Sequence, residues 1–180
     1  MSLVFQCLQT YLYVRELDRR YKEVGEMAIS KKLKKYLDKE KIEYKTKNHD
    51  RVITAQEVAE SIHVPGKELA KSIVIRDGDK YHLFVLPATK SVDFSQVRKL
   101  LNTHHVDLAD EADFETMFSD CELGAMPPFG NIYGLETFVD QELKEDEDIA
   151  FNAGTHSDVI LMHFSDFDSL VHPTYASFAA

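Results

Sequence analysis

The chain has 180 residues, 44% of them hydrophobic and 29% charged, and a net charge of −10. That is an ordinary globular composition with enough chain for one sizeable core. No apolar run approaches the ~20 residues that span a bilayer, and the start, "MSLVFQCLQTYLYVRELDRR", has no basic leader and no small-residue cleavage site, which argues against a secretory signal. Cys7 and Cys121 lack metal-ligand spacing and read as reduced thiols of a cytoplasmic protein.

A charge of −10 taken alone argues against nucleic acid. The distribution says otherwise. The first 99 residues hold 20 of the 21 Lys and Arg against 14 acids, a net +6; the remainder holds only Lys144 against 17 acids, a net −16. A fold that keeps the first part on one face would give an acidic protein a basic surface. Alternatively, these lysines are simply solvated helix faces.

In chain order, residues 1–26 read as a helical extension, and a single domain runs from Met27 to the end of the sequence. In "MAISKKLKKYLDKEKIEY", Ile29, Leu33, Tyr36 and Leu37 fall at helical spacing, with Ser30 as N-cap. "EYKTKNHD" is a short strand. "TAQEVAESI" opens with Thr54 and Glu57 in capping-box positions. "KSIVIRDGDKYHLFVLP" is a hairpin turning at Asp77–Gly78. "DFSQVRKLLN" is a helix with Asp93 or Ser95 at its cap, and "DEADFETMF" is a short acidic helix. "LETFVD" is a strand. "DIAFNAG" and "DVILMHF" are two strands broken at Ala153–Gly154. "SDFDSLVH" is a helix capped by Ser165. Hairpins interspersed with helices, without a regular βαβ repeat, point to an α+β or mixed-sheet α/β domain.

Two stretches stand out chemically. Lys71 opens the first hairpin strand between apolar "ELA" and "SIVI". An ammonium beside the core can hold a phosphate or stabilise an oxyanion, or it can merely snorkel to water. "CELGAMPPFGNIYG" carries no charge after Glu122, and its glycines and prolines make it neither helix nor strand. Glycine admits a close ligand and proline stiffens the backbone, so the loop is either a shaped wall or a structural turn. Asn152, Thr155 and His156 bring polar groups to the strand break, and His49 stands in "KNHD"; a lone histidine is as readily structural as catalytic. Eight histidines fall into no HExxH pattern, and no GxGxxG, GxxxxGK[ST] or GxSxG occurs.

Taken in order, "HDRVITAQEVAE", "ELAKSIVI", "GAMPPFGNIYGL" and "DIAFNAGTHSDVILM" resemble the YbaK family, free-standing relatives of the editing domain inserted in bacterial prolyl-tRNA synthetases. The match runs from about Ser30 to Pro173. The resemblance implies a mixed, curved, barrel-like sheet with surrounding helices. It implies an aminoacyl-tRNA deacylase that removes a small amino acid (Ser, Thr or Ala) from the 3′ acceptor end. The family's A-K-[ST] lysine corresponds to Lys71, the catalytic residue under this reading. Its Gly-x-x-x-Pro loop corresponds to Gly124, Ala125, Met126, Pro127 and Pro128. The implied substrate-binding set also takes in His49, Thr54, Asn152, Gly154, Thr155 and His156. No cofactor and no metal are implied. The partners are aminoacyl-tRNA and, further, a synthetase, with no membrane. Phosphates would lie along the Lys-rich segment 31–47 and Lys67–Lys71. A non-catalytic binding module of the same fold, or a hydrolase of another small ester or nucleotide, remains open.

Overall fold

The computed structural model describes residues 29–48 and 67–180. The expected extension over 1–26 and the helix at "TAQEVAESI", with His49 and Thr54, lie outside the described residues. Four helices and an eight-stranded mixed sheet are described: α1 (Lys31–Glu40), β1 (Lys45–Asn48), β2 (Leu69–Asp77), β3 (Lys80–Pro87), α2 (Phe94–Leu101), β4 (Asp107–Leu108), α3 (Glu111–Met117), β5 (Glu136–Asp140), β6 (Asp148–Asn152), β7 (Asp158–His163), α4 (Phe164–Val171) and β8 (Thr174–Ala176). Short 3-10 turns cover Gly130–Tyr133 and Gln141–Glu145.

Local chemistry accounts for most of these boundaries. Ser30 accepts the Leu33 amide at 3.2 Å, and Lys41, at φ 56°, closes α1 in the left-handed region. Leu33 and Leu37 are fully buried, which stabilises the helix by roughly 1.5–3 kcal/mol each, while Lys31, Lys32, Lys35 and Lys39 face water. The hairpin forms with an unbroken register from Ala70↔Pro87 to Asp77↔Lys80, and Gly78 supplies the positive φ (62°) its two-residue loop requires. At α2 the cap is Asp93, whose carboxylate accepts the Ser95 and Gln96 amides. Asp110 and Asp113 form a reciprocal capping box on α3. One boundary differs from expectation. α4 begins at Phe164 with His163 as its N-cap and no side-chain cap, so Ser165 lies within the first turn. Burial of Phe164 and Phe167 starts the helix there, where the sequence pattern suggested a capping hydroxyl.

The sheet runs β1-β7-β6-β2-β3-β5-β8, with β4 also on β2. β2/β3, β6/β7 and β1/β7 are antiparallel; β2/β6, β3/β5 and β5/β8 are parallel. The mixed α/β expectation holds. β2 therefore carries β3 along one edge and two different strands along the other. β6 pairs only at Leu69↔Ala150 and Ala70↔Phe151, and β4 only at Ile75↔Leu108 and Arg76↔Asp107. Among the described residues, apolar side chains gather into two clusters. The larger gathers Leu33, Leu37, Val74, Phe129, Phe151, Ile160 and Phe167; the smaller gathers Ile75, Phe84, Phe138 and Phe178.

The uncharged loop belongs largely to the interior. Ala125 through Gly130 are all buried. Phe129 is fully buried, with its ring 5.5 Å from those of Phe151 and Phe167 and 6.3 Å from Tyr36. A surface loop would need polar side chains, whereas this one closes the larger core, and that is why its residues are small and apolar.

Candidate active site

Where β6 parts from β2, a cavity of about 180 Å³ opens, lined by Leu69, Ala70, Lys71, Ser72, Gly124, Met126 and Asn152. It is too small for a drug-sized ligand but holds about six waters' worth of space. Among the described residues, two roomier hollows lie elsewhere. One, of about 450 Å³, lies between Ile42–Lys45 and Leu161–His163; the other, of about 380 Å³, lies at the end of α2. Both are lined by other residues, so neither brings Lys71 together with the 124–128 loop.

Three elements build the cavity. β2 supplies Lys71, whose Nζ donates to the Ala88 carbonyl at 3.2 Å, its one hydrogen bond among the described residues. Burial without a carboxylate partner pulls its pKa below the ordinary lysine value. β6 supplies Asn152, whose buried Oδ1 has no partner among the described residues. An unpaired buried amide oxygen costs roughly 1–3 kcal/mol, so it marks a place where a donor is wanted. The loop supplies Gly124 and Met126.

The loop is fastened from behind. The Glu122 amide donates to the Gly154 carbonyl at 2.8 Å, and the Gly154 amide donates to the Ala125 carbonyl at 3.0 Å. The Glu122 carboxylate accepts the His156 amide at 2.8 Å, and His156 Nε2 lies 2.8 Å from the Leu123 carbonyl. A carbonyl only accepts, so this geometry places the proton on Nε2. The His156 ring lies 3.6 Å from where a Cβ on Gly124 would stand. Gly154 packs so closely on Ser30 that a Cβ would come within 2.9 Å of its backbone nitrogen. Both glycines hold positive φ, 83° and 111°.

A second layer supports this fastening. Ser30 donates to Asp120 at 2.5 Å and lies 2.9 Å from the Tyr133 hydroxyl; the Lys32 amide reaches the same carboxylate at 3.1 Å. Burial acts to raise the Asp120 pKa, but the bonds from Ser30, Lys32 and Tyr133 together hold it below the usual carboxylate value. Burial, and then the neighbouring Cys121, push the Tyr133 hydroxyl far upward, so it stays protonated. Burial likewise raises the Cys121 thiol, which disfavours the nucleophilic thiolate.

Of the residues singled out in the sequence, the structure brings Lys71, Gly124, Met126 and Asn152 to one cavity. Ala125, Pro127 and Pro128 are buried behind the rim. Gly154, Thr155 and His156 form the adjoining turn, where the Thr155 hydroxyl donates to Asp158 at 2.7 Å. Lys67 is paired with Asp146 at 2.8 Å. Sequence reasoning did not pick out Ser72 as a lining residue, nor Asp120 and Tyr133 as supports. Ser72 stood in the quoted "AKSI", whereas the Ser30–Asp120 contact spans 90 positions and leaves no local signal. Among the described residues no group of His, Cys, Asp and Glu is arranged to hold a metal ion, and no helix is long and apolar enough to cross a membrane.

Comparison with known proteins gives a consistent result. The "Multifunctional Ser/Thr-tRNA deacylase ProXp-y" of Escherichia coli (strain K12) is 26% identical over 147 residues, covering 79% of this chain and 87% of that protein. A "Proline--tRNA ligase" of Macrococcus caseolyticus is 22% identical over 102 residues, covering 57% of this chain and 18% of the ligase. A crystal structure described as that of a candidate trans-editing enzyme for prolyl tRNA synthetase superposes with a TM-score of 0.74 at 16% identity, over 84% of this chain and 96% of that one, a likeness of fold. The model of the aminoacyl-tRNA editing domain matches residues 49–170, and the chain belongs to that family.

Proposed function

We propose that the protein hydrolyses mischarged aminoacyl-tRNA in trans, releasing a small amino acid from the 3′ end. The family carries the reaction class, deacylation of aminoacyl-tRNA; the substrate and the residue roles are the proposal. The observation that supports it most is the meeting of an ammonium with little local compensation, an unpaired amide oxygen and a glycine rim in one 180 Å³ cavity.

An aminoacyl ester is already activated, so positioning and charge stabilisation can supply most of the catalysis. Lys71 sits where its ammonium can leave the Ala88 carbonyl for the terminal phosphate or the ester carbonyl. Asn152 Oδ1 accepts from the α-ammonium of the amino acid. Gly124 and Met126 bound the side chain. A hydrophobic wall discriminates one methylene by only ~1–3 kcal/mol, so its rigidity, secured through Glu122, Gly154 and His156, sets selectivity. Water adds to the carbonyl carbon, the carbon–oxygen bond to the ribose breaks, and the ribose oxygen takes the proton the water gives up. The products are a free amino acid and uncharged tRNA. Lys31, Lys32 and Lys35 are exposed on α1, whose N-terminus abuts the cavity's back wall through the Ser30 amide and the Ala153 carbonyl (2.6 Å). They offer a track for backbone phosphates, and a synthetase is a further candidate partner that presents the substrate.

The test is a deacylation panel over Ser-, Thr-, Ala- and Cys-charged tRNAs with the parent and Lys71→Ala. The expectation is that the parent releases at least one amino acid and the variant is slower by on the order of 10²-fold or more, with an unchanged melting temperature. Binding of charged tRNA without release by either protein would make this a binding module.

A further inference from the structure

The place where β2 loses its second neighbour carries more chemistry than its side chains do. Beyond Ala70 no residue of β2 pairs with β6, and β4 takes up that edge only at Ile75. In between, among the described residues, β2 has β3 on one side and no strand on the other. Which amides face the gap follows from the pleat, because successive residues turn their N–H and C=O to opposite edges. The Leu69 carbonyl accepts the Ala88 amide at 2.7 Å, so residue 69 faces β3. The Glu68 carbonyl accepts the Ala150 amide, and the Val74 carbonyl accepts the Ala109 amide, each at 3.0 Å on the opposite edge. The β2/β3 register is continuous through these residues, so no bulge resets the alternation. Ser72 therefore turns its amide to the open edge, midway between the two strands that flank the gap. Ser72 also lines the cavity, beside Lys71 and Asn152. A backbone donor that leaves a ladder at a cavity and takes up no other partner among the described residues is a pre-aimed dipole.

We propose that the backbone N–H of Ser72 is the oxyanion donor of the deacylation. As the water oxygen bonds to the carbonyl carbon, the carbon–oxygen π pair moves onto the carbonyl oxygen, and the Ser72 amide donates to the charge that forms there. The Lys71 ammonium stands on the same strand as the neighbouring positive charge. When that electron pair returns, the bond to the ribose oxygen breaks and that oxygen takes the proton given up by the water. The donor is fixed by the sheet before substrate arrives, so no reorganisation is needed at the moment of reaction. It belongs to the backbone, so the side chain at position 72 is dispensable for it. This inference rests on the deacylase reading.

The experiment compares four full-length chains on the charged tRNA the parent hydrolyses best: the parent, Ser72→Ala, Ser72→Pro, and a chain assembled by chemical ligation in which the amide nitrogen of residue 72 is replaced by an ester oxygen. Each is also titrated with two adenosine probes, a 3′-amide-linked aminoacyl adenosine that mimics the ground state and its tetrahedral phosphonate analogue. Ser72→Ala, which keeps the amide, is expected to lose less kcat than the ester chain and to keep the parent's preference for the phosphonate over the amide probe. The ester chain is expected to lose on the order of 10²-fold in kcat with little change in KM, and to lose affinity for the phosphonate but not for the amide probe. Ser72→Pro, which also lacks the donor, is expected to lose kcat at least as strongly. Unchanged turnover in the ester chain, an equal loss in both probes, or a comparable loss in Ser72→Ala would overturn the assignment while leaving the deacylase reading standing. Failure of the parent to release any amino acid would end both.

Discussion

The two walls of the cavity are built on opposite plans. The loop wall has most of its polar groups engaged: Glu122, Leu123, Ala125 and Gly154 bond to one another or to His156, and Asp120, Ser30 and Tyr133 support them from behind, with His156 Nδ1 the exception, buried without a partner among the described residues. Among the described residues the strand wall keeps polar groups in reserve, in Lys71 with one carbonyl contact, Asn152 with an unpaired oxygen, and Ser72 beyond the end of the β6 ladder. The contrast separates two tasks. A wall that excludes a longer side chain must not yield, so its bonds are satisfied internally. A wall that meets charge in a transition state must leave donors and acceptors unanswered until substrate comes.

The contrast can be broken most severely at Gly154. Gly154→Ala combines a φ of 111° with a Cβ 2.9 Å from the Ser30 nitrogen and Cβ, and is expected to cost about 2–5 kcal/mol in a urea unfolding curve. A loss below 1 kcal/mol would mean that the loop wall is not held as described. On the strand wall the sign reverses. Asn152→Leu removes a buried acceptor without a partner, so stability should hold or rise by up to ~1 kcal/mol, while kcat/KM for charged tRNA falls by about 10- to 100-fold through the lost bond to an ammonium. Equal losses of stability and activity would place Asn152 with the structural wall.

The gentlest probe is pH, at Asp120. Its folded pKa lies below the ordinary 3.8, so the stability it contributes is fully present above that value and is lost as pH falls through the lowered one. Asp120→Asn, which does not titrate, should flatten the acid limb of the unfolding midpoint below about pH 4 relative to the parent. An acid limb identical to the parent's would show that Asp120 is not the group that feels the protons.

Much of this was legible in the sequence, for local reasons. Ser30 three residues before Leu33, Asp93 before the 94–101 helix, and Asp77–Gly78 between two strand-forming runs are each an instruction read within one turn of chain. The three-residue β8 was not legible, because a parallel partner for β5 exists only once Asp140 accepts the Phe178 and Ala179 amides across 38 and 39 positions. Nor was the cap of α4, where burial of Phe164 outweighed the hydroxyl of Ser165. In the candidate site, Lys71 and the Gly124 loop stood out by type and spacing. The resemblance put Asn152 with them, but Ser72 as a lining residue was not legible.

The sequence by itself determined most of the elements, several of their caps, the family and the unusual character of the 121–134 stretch, because periodicity, capping chemistry and short motifs act between near neighbours. Only the tertiary structure decided that residues 125–130 of that stretch are buried, that its rim is held by Gly154 and His156, and that β6 leaves β2 after Ala70. Those outcomes depend on which strands compete for one edge and which side chains fill one interior. Such competition is settled by packing over the whole chain, where no short window of residues carries the answer.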